Sequence, residues 1–300
     1  MPEVITLPPH LSFSQVGTMQ KCSHRWFLER GLHLGGRGAW APVGGSAAHS
    51  ATEVWDRRMI EDGWNDTSAA DLFNDAFDVA IEEAEETGGP RSEWHASGRA
   101  SKEWPDKRNE KWWRHNGPIM VSRWMQWRSN SPWEIAYVAD ENGEATIGIE
   151  LHCLVEIGGT PVKMYVDRLF EYNGSYMILD LKFGDHVPDD ETQLATYRTG
   201  ILAQYGVDAQ WGCYWMGKDG SSTIPADLQS WSPERLEWLY WKTRQAQEQG
   251  MFLPTRSPLC GSCGVRDYCY AVGGPKADTV PAPWEVSVIQ VTDGASPSAA

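Results

Sequence analysis

The chain has 300 residues, of which 41% are hydrophobic and 22% are charged, proportions that are typical of a globular protein and that exclude wholesale disorder. No run of about 18 apolar residues occurs, which excludes a membrane-spanning helix. The N-terminal MPEVITLPPHLSFS lacks the basic and apolar regions of a signal peptide, so we expect a cytoplasmic protein. The net charge of −15 excludes a protein that coats nucleic acid through its overall charge, and any such contact needs a local basic patch.

The first 130 residues are predicted to be mainly helical. Ser12, with Gln15 three residues later, is typical of a helix start, and this helix should run to about Arg30 and stop at Gly31. A glycine-rich loop, GGRGAWAPVGG, precedes a second helix through His49. Apolar residues at helical spacing predict a third helix within 68–87, and a further helical region is expected between residues 99 and 128.

From Trp133 onward the pattern changes. Apolar, β-branched and aromatic runs predict strands at 134–139, 146–156, 161–171 and 176–183, then a helix at 189–204, a strand at 209–216 and a helix at 233–249. The composition after Gly273 predicts a flexible tail, in which WEVSVIQV could add a short strand. This order of elements predicts an α/β (α+β) core with a helical insertion.

An Asn173-Gly174 pair stands between two of the predicted strands. Asn-Gly is typical of a two-residue type I′ hairpin turn, because both central residues of that turn need a positive φ. The turn pairs Tyr172 with Ser175, and the same register, continued along both strands, brings Asp167 opposite Asp180.

Two carboxylates in this position have Cβ atoms about 4.5–5.5 Å apart and repel each other. Lys182 lies two residues beyond Asp180 and therefore projects from the same face of the strand. A divalent cation would compensate the repulsion, since Mg²⁺ binds one or two carboxylates with waters and phosphate oxygens and activates water. Lys182 would then position that water or stabilise developing charge. The alternative is a solvated strand face that carries these residues by chance.

The run ILDLKFG, with Asp167 before it, resembles the signature of the PD-(D/E)XK nucleases. The run GSAAH, ending at His49, is similar to the helix that brings a metal-binding histidine in the RecB-like branch, and QLATY at 193–197 is similar to that branch's Gln-x-x-x-Tyr motif. Gln193 and Tyr197 are four residues apart and so share a helix face.

This resemblance implies a restriction-endonuclease-like core, in which a mixed central sheet is flanked by helices. It also implies that Mg²⁺ or Mn²⁺ is bound by His49, Asp167, Asp180 and the backbone carbonyl of Leu181. Lys182 would be catalytic, and Gln193 and Tyr197 would hold the substrate or the site.

Three of the six cysteines form a C-x2-C-x5-C cluster, Cys260, Cys263 and Cys269, and a C-x2-C loop presents two thiolates to one metal. Cys22, on the first predicted helix, is the natural fourth ligand. Four thiolates fit either a structural zinc ion or a [4Fe–4S] cluster, and the spacing does not choose between them. Buried free thiols are the remaining alternative.

One cysteine before the nuclease core and three after it resemble the iron-staple RecB-like nucleases, which include the AddB nuclease domain and CRISPR-associated exonucleases. The resemblance implies a [4Fe–4S] cluster that joins the N- and C-terminal parts of the domain. Closing the chain from Cys22 to Cys260 should constrain the unfolded state. Cys153 and Cys213 lie in apolar strand-like runs and are expected in the core.

Charge is unevenly distributed, since residues 61–90 hold ten acidic and no basic residues, whereas 91–128 hold nine Lys/Arg against four Asp/Glu. Residues 91–128 also interleave these cations with tryptophans, a composition that suits single strands because bases stack on aromatic rings. We predict one wall of a DNA channel here, with contacts from Lys111, Trp112, Trp113 and Arg114. The alternative is that the tryptophans face the core.

The prediction from sequence is a metal-dependent DNA exonuclease that prefers single strands or DNA ends, acting in recombination, repair or processing. A catalytically silent iron–sulfur accessory protein that binds DNA is the alternative, and a redox carrier is a third class. Helicase or recombination proteins are possible partners, because the chain has no G-x-x-x-x-G-K-[ST] motif. The expected regions are N-terminal helices (1–60), a helical insertion (61–130), the nuclease core (131–250), the cysteine cluster (251–273) and a flexible tail (274–300).

Overall fold

The structure, a computed structural model, describes residues 3–36, 38–63, 66–140 and 142–290. Its helices are α1 (Phe13–Trp26), α2 (Trp40–Asp62), α3 (Ala69–Gly88), α4 (Glu110–Asn130), α5 (Thr192–Tyr205) and α6 (Pro233–Glu248). Its strands are β1 (Glu3–Leu7), β2 (Glu134–Ile135), β3 (Tyr137–Ala139), β4 (Ala145–Ile147), β5 (Ile149–Ile157), β6 (Thr160–Tyr172), β7 (Ser175–Lys182), β8 (Trp211–Met216), β9 (Ser221–Ser222), β10 (Ala226–Asp227) and β11 (Val286–Gln290). In these ranges no helix has the length and apolar character needed to cross a bilayer.

The chain divides into two compact units. The terminal unit comprises Met1–Gly36, Leu154–Met164 and Ser232–Ala300, and the central unit comprises Arg37–Cys153 and Tyr165–Trp231.

A mixed sheet of seven strands forms within the described residues. Strands β10, β8, β7, β6 and β2 lie side by side in that order, while β5 pairs with β6 and β9 with β8. Strands β7 and β8 run parallel, whereas β6 pairs antiparallel with both β7 and β2. Parallel neighbours need a crossover connection, which α5 provides here. The predicted α/β core, a mixed central sheet with flanking helices, is confirmed.

Helices α2, α3 and α4 pack on one another and share a core with strands β5 to β8. Two glycines permit this close packing. A Cβ atom at Gly44 of α2 would lie 2.0 Å from the Trp113 ring on α4, and one at Gly117 would lie 2.1 Å from the Phe73 ring on α3. Neither position accepts a methyl group unless an aromatic ring moves.

The terminal unit has its own apolar cluster, which includes Ile5, Leu7, Trp26, Phe27 and Phe252. Strand β1 pairs in parallel with β11. Ser12 caps α1, as predicted, because its side chain accepts a hydrogen bond from the Gln15 N–H.

Helix α2 and some strands differ from the sequence expectation. Helix α2 begins at Trp40, so the last part of the predicted glycine-rich loop is helical. Strand β1 had no predicted counterpart. Strand β11 lies within the run WEVSVIQV, where a short strand was expected, while residues 291–300 of the predicted tail lie outside the described residues.

Candidate active site

The Asn173-Gly174 turn sets the register of the hairpin that carries the two aspartates. Both residues have positive φ, 51° and 78°, as a type I′ turn requires. Tyr172 pairs with Ser175, and the ladder continues to Arg168 opposite Leu179. This is the predicted register for these five pairs, and Asp167 and Asp180 are the next residues along the two strands.

Both aspartates are buried on this hairpin. Asp167 is 8% and Asp180 2% exposed, and Asp167 Oδ2 accepts a hydrogen bond from the Leu181 N–H at 2.7 Å. Burial raises the pKa of Asp167. Burial, together with repulsion from Asp167, raises the pKa of Asp180 to about 7. Two carboxylates are therefore crowded in surroundings that disfavour their ionised forms.

A chain of polar contacts leads from Asp180 to α5. Lys182 Nζ lies 2.6 Å from Asp180 Oδ2 and donates a hydrogen bond to Gln193 Oε1 at 2.9 Å. Gln193 Nε2 in turn donates to the Tyr197 hydroxyl at 2.8 Å. These four side chains, all predicted site residues, therefore meet at the end of β7, and Gln193 with Tyr197 restricts where the Lys182 ammonium can lie.

The remaining predicted ligand, His49, approaches from α2. His49 Nδ1 lies 3.6 Å from Asp167 Oδ2, and burial lowers the pKa of His49, which favours the neutral imidazole that binds metals. The ligand atoms of His49, Glu150 and Asp167 all lie within 4.8 Å of one another. Asp180 lies outside this group of three, next to Lys182.

Glu150, on β5, was missed by the sequence analysis. Its pKa is raised to about 7 by burial and by repulsion from Asp167. Its backbone has a φ of 48°, a left-handed conformation that is uncommon for a residue other than glycine and often marks a functional position. The available signal was an acidic residue within the largely apolar run IGIELHC, but no spacing rule connects it to Asp167.

The residues present fit a divalent cation. Asp180 Oδ2 is buried, and Lys182 Nζ is its charged neighbour at 2.6 Å. Three carboxylates and one neutral imidazole form a donor set suited to a hard or borderline cation. A positive ion among them would reverse the pKa shifts by favouring the charged carboxylates.

A buried ion-pair network links α2 to β6 beside the site. Asp56 of α2 accepts hydrogen bonds from Arg168 Nε at 2.7 Å, Trp124 Nε1 at 3.1 Å and Arg128 Nε at 3.3 Å. Asp56 and Arg168 are 1% and 0% exposed. Because Arg168 follows Asp167 directly and Asp56 is two turns from His49 on one helix, this network holds two predicted ligands in register. No local pattern in the sequence pairs these residues.

The predicted DNA contacts on α4 need correction. Trp112 and Trp113 are 8% and 2% exposed and belong to the core, so neither ring is available for stacking on a base. Arg114 pairs with Asp78 and Glu110, while Lys111 is exposed. The alternation of cations and tryptophans reflects the two faces of a packed helix.

In the terminal unit, four cysteines line a single cavity, namely Cys22, Cys260, Cys263 and Cys269. Cys22 lies at a break in α1, with φ −166° and ψ 98°, and its sulfur accepts from the Thr255 N–H at 3.4 Å. The cavity therefore joins the early cysteine to the three late ones.

Cys153 and Cys213 are buried away from that cavity, as expected for core cysteines. Burial raises the pKa of each thiol to about 12, so both remain protonated at neutral pH.

Comparison with known proteins identifies relatives along nearly the whole chain. The Gene 69 protein of Mycobacterium phage D29 is 27% identical over 285 residues, which cover 87% of this chain and 96% of that protein. The Gene 69 protein of Mycobacterium phage L5 is 26% identical over 307 residues, covering 90% and 99%. The solved structure of SSO0001 superimposes with a TM-score of 0.32 and 11% identity over 83% of this chain and 94% of that one, a likeness too weak to carry an argument.

The family comparison covers both units. The pattern of the PD-(D/E)XK nuclease superfamily matches residues 10–270, a range that begins before α1 and ends after the last clustered cysteine. The chain therefore belongs to the PD-(D/E)XK nuclease superfamily.

Proposed function

We propose that this nuclease is a metal-dependent DNA exonuclease of the RecB-like kind, with a preference for single strands. The observation that carries the proposal is the convergence of His49, Glu150 and Asp167, whose ligand atoms lie within 4.8 Å of one another, beside the Asp180–Lys182 pair. The exonuclease assignment rests on the resemblance of His49 and the Gln193–Tyr197 pair to the RecB-like branch. The single-strand preference was expected from the cation-rich segment 91–128, and the exposed side chains of Arg99, Lys102 and Lys107 support it.

His49, Glu150, Asp167 and Asp180 would hold Mg²⁺ or Mn²⁺, with the Leu181 carbonyl as a further ligand. When bound, such an ion supplies Lewis acidity toward the phosphate and lowers the pKa of a coordinated water.

The side chains of the site have separate tasks around that ion. Lys182, held by Gln193 Oε1 at 2.9 Å, places a positive charge beside Asp180 and orients the attacking water or stabilises charge on the phosphate oxygens. Tyr197 holds Gln193 through its hydroxyl. Burial lowers the pKa of His49, which favours the neutral imidazole, and we assign it the role of a metal ligand.

For the cysteine cavity of the terminal unit we propose a structural [4Fe–4S] cluster, with zinc as the alternative. Four thiolates around one cavity fit either group, and the choice of the cluster rests on the resemblance of the cysteine arrangement to that of the iron-staple RecB-like nucleases.

The test of the nuclease function compares wild-type protein with Asp180→Asn and Lys182→Ala on labelled DNA, with Mn²⁺, with Mg²⁺ and with EDTA. Each substitution should reduce cleavage by about 10²- to 10³-fold, as expected when a charge-stabilising group is lost, and leave the circular dichroism spectrum unchanged. Asp78→Asn, at an exposed ion pair on α3, is the matched control. Wild-type activity in either site variant, or cleavage that EDTA does not stop, contradicts the proposal.

The form of the DNA substrate tests the single-strand preference and distinguishes an exonuclease from an endonuclease. Linear single strands should be degraded faster than linear duplexes, and circular single strands should resist. Rapid cutting of the circle would indicate an endonuclease. Binding without cleavage of any form, in cluster-loaded protein, would instead favour the silent accessory protein.

The cluster is tested independently by anaerobic purification. We expect a visible absorption band, with iron and acid-labile sulfide in equal amounts. Zinc without iron would show that the cavity holds a structural zinc ion and not a cluster.

A further inference from the structure

A cleft of about 360 Å³ opens beside the candidate active site, and it is lined in part by His49, Lys182, Asp185 and Arg108. Arg108 and Lys182 are the two Lys/Arg side chains among its lining residues, all of which the structure describes. Lys182 contacts Asp180 and Gln193, so it belongs to the site itself. Arg108 is therefore the cation of the cleft that the proposed chemistry does not use.

Arg108 is held firmly in this position. Its guanidinium carbon lies 4.4 Å from the centroid of the Trp112 ring, and Nη2 donates to the Asp185 carboxylate. Its side chain is 18% exposed. The side chain also runs past Gly98, where a Cβ atom would lie 3.3 Å from Arg108 Cδ. A preorganised guanidinium loses little conformational entropy when it binds a ligand.

The segment that ends at Arg108 is a closed loop with an excess of positive charge. Ser97 and Arg108 form an isolated antiparallel bridge, and the Arg108 N–H donates to the Ser97 carbonyl at 3.0 Å. Residues 97–108 contain four Lys/Arg against two Asp/Glu. Three of the cations, Arg99, Lys102 and Lys107, are exposed. In a chain of net charge −15, this loop is a local basic feature at the edge of the cleft.

The chemistry of Arg108 favours a phosphate ligand. A guanidinium has five N–H donors in a planar fork that matches two phosphate oxygens. The hydrogen bond to Asp185 uses Nη2, so one arginine can hold the carboxylate and a phosphate together. Asp185 follows Lys182 by three residues, which ties the position of Arg108 to the end of the β7 strand.

We propose that Arg108 binds a phosphodiester of the DNA strand next to the one that is cleaved, and that loop 97–108 follows the strand away from the site. This inference rests on the proposed nuclease function, and it assigns the strand contact to Arg108 in place of the buried Trp112 and Trp113. The group that Arg108 would recognise is a phosphate, which DNA offers either as a diester within the strand or as a monoester at its end. We assign the diester.

The experiment measures binding of short, labelled single strands in EDTA, which prevents cleavage, over a series of salt concentrations. Arg108→Gln should weaken binding about tenfold, as loss of one hydrogen-bonded charge contact implies. It should also reduce the slope of log K against log salt by about 0.7, the value for one phosphate contact to a single strand.

Arg198→Gln is the matched control. Arg198 pairs with Asp208 at 2.7 Å and is 17% exposed, which closely matches the Arg108–Asp185 pair, but it does not line the cleft. Wild-type affinity and salt slope are expected for this variant. If Arg108→Gln and Arg198→Gln behave alike while wild-type protein binds and cleaves DNA, the inference fails and the nuclease function stands. If wild-type protein neither binds nor cleaves, both fail.

Two further measurements test the role of the guanidinium shape and the kind of phosphate bound. Arg108→Lys keeps the charge but not the fork, so it should retain the salt slope and lose about threefold in affinity. If Arg108→Gln does not fold, Arg108→Lys serves as the test in its place. Wild-type affinity in the lysine variant would overturn the assignment. Strands with a 5′-phosphate, a 3′-phosphate or neither should show the same effect of Arg108→Gln. An effect confined to one phosphorylated end overturns the diester assignment.

Discussion

The carboxylate site of the central unit and the cysteine cavity of the terminal unit both gather candidate metal ligands, but under opposite conditions. Asp167 and Asp180 are buried, and burial raises the pKa of both carboxyls. The clustered cysteines are partly exposed and lie at the two ends of a long stretch of chain. We expect the first site to destabilise the folded chain until a cation binds, and the second to stabilise the chain through the group that it holds.

Among the substitutions that test this contrast, Cys22→Ser is expected to cause the largest change in the free energy of unfolding. If a cluster joins Cys22 to Cys260, its loss removes a crosslink across more than 200 residues, worth about 5 kcal/mol of unfolding free energy in the chain-entropy account. Anaerobic urea denaturation measures this change, and the visible absorption should fall with it. Cys153→Ala, at a buried cysteine outside the cavity, should retain the absorption. Equal iron content in the two variants would contradict the assignment.

Asp56→Asn should have the next largest effect. The substitution leaves Arg168, which is 0% exposed, without its full counter-charge, and breaking a buried ion pair costs about 3–5 kcal/mol. Urea denaturation should show this loss, whereas Asp78→Asn, at an exposed pair, should cost less than about 1 kcal/mol. Equal stability of the two variants would show that the Asp56 network does not support the site.

Glu150→Gln tests whether the carboxylate site destabilises the metal-free protein. Because the pKa of Glu150 is raised to about 7 in the folded chain, its protonation stabilises the protein below about pH 4.5, and this stabilisation is lost as the pH rises through 7. Glutamine stays neutral and does not lose it. Without metal, the free energy of unfolding of Glu150→Gln at pH 8 should therefore be higher than that of wild type by on the order of 1–2 kcal/mol, allowing for solvent screening. Near pH 4 the two values should be equal.

Thermal melting at the two pH values measures this difference. Added Mg²⁺ at pH 8 should raise the melting temperature of wild type more than that of the variant, because the ion binds the charged carboxylate. Glu82→Gln, at an exposed position on α3, should show no such pattern. A variant less stable than wild type at pH 8 without metal would mean that Glu150 is stabilising and that the contrast between the two sites is wrong.

Tyr197→Phe should have the smallest effect of the four. It removes the hydroxyl that accepts from Gln193 Nε2 at 2.8 Å, so Gln193 holds Lys182 less firmly, and cleavage should slow roughly three- to tenfold, the value of one hydrogen bond. Tyr205→Phe, on the same helix but bonded to the His152 carbonyl, is the control. If both variants keep the wild-type rate, the contact chain from α5 to Lys182 has no catalytic role.

What could be predicted from sequence was local. The Asn173-Gly174 turn determines the hairpin register near itself, and the five pairs from Tyr172–Ser175 to Arg168–Leu179 follow the register predicted from turn geometry. The four-residue spacing of Gln193 and Tyr197 likewise predicted a shared helix face, and their hydrogen bond shows it.

What could not be predicted depends on contacts between distant segments. Asp56 and Arg168 are 112 residues apart in the chain, and no local pattern pairs them. Glu150 becomes a candidate ligand only because β5 pairs with β6. The alternation of cations and tryptophans on α4 fits both a packed helix and a channel wall, and the difference lies in what covers Trp112 and Trp113.

The contact between Gly44 and Trp113 has a consequence for mutational data on this chain. With only 2.0 Å between the indole and the place of a Cβ atom, either the Trp113 ring or helix α2 must move to accept a side chain at this position. His49 lies little more than one helical turn further along α2, so a shift of the helix would displace it. A substitution at Gly44 would thus mimic damage to the metal ligands in an activity screen, although residue 44 itself carries no chemical group that could react.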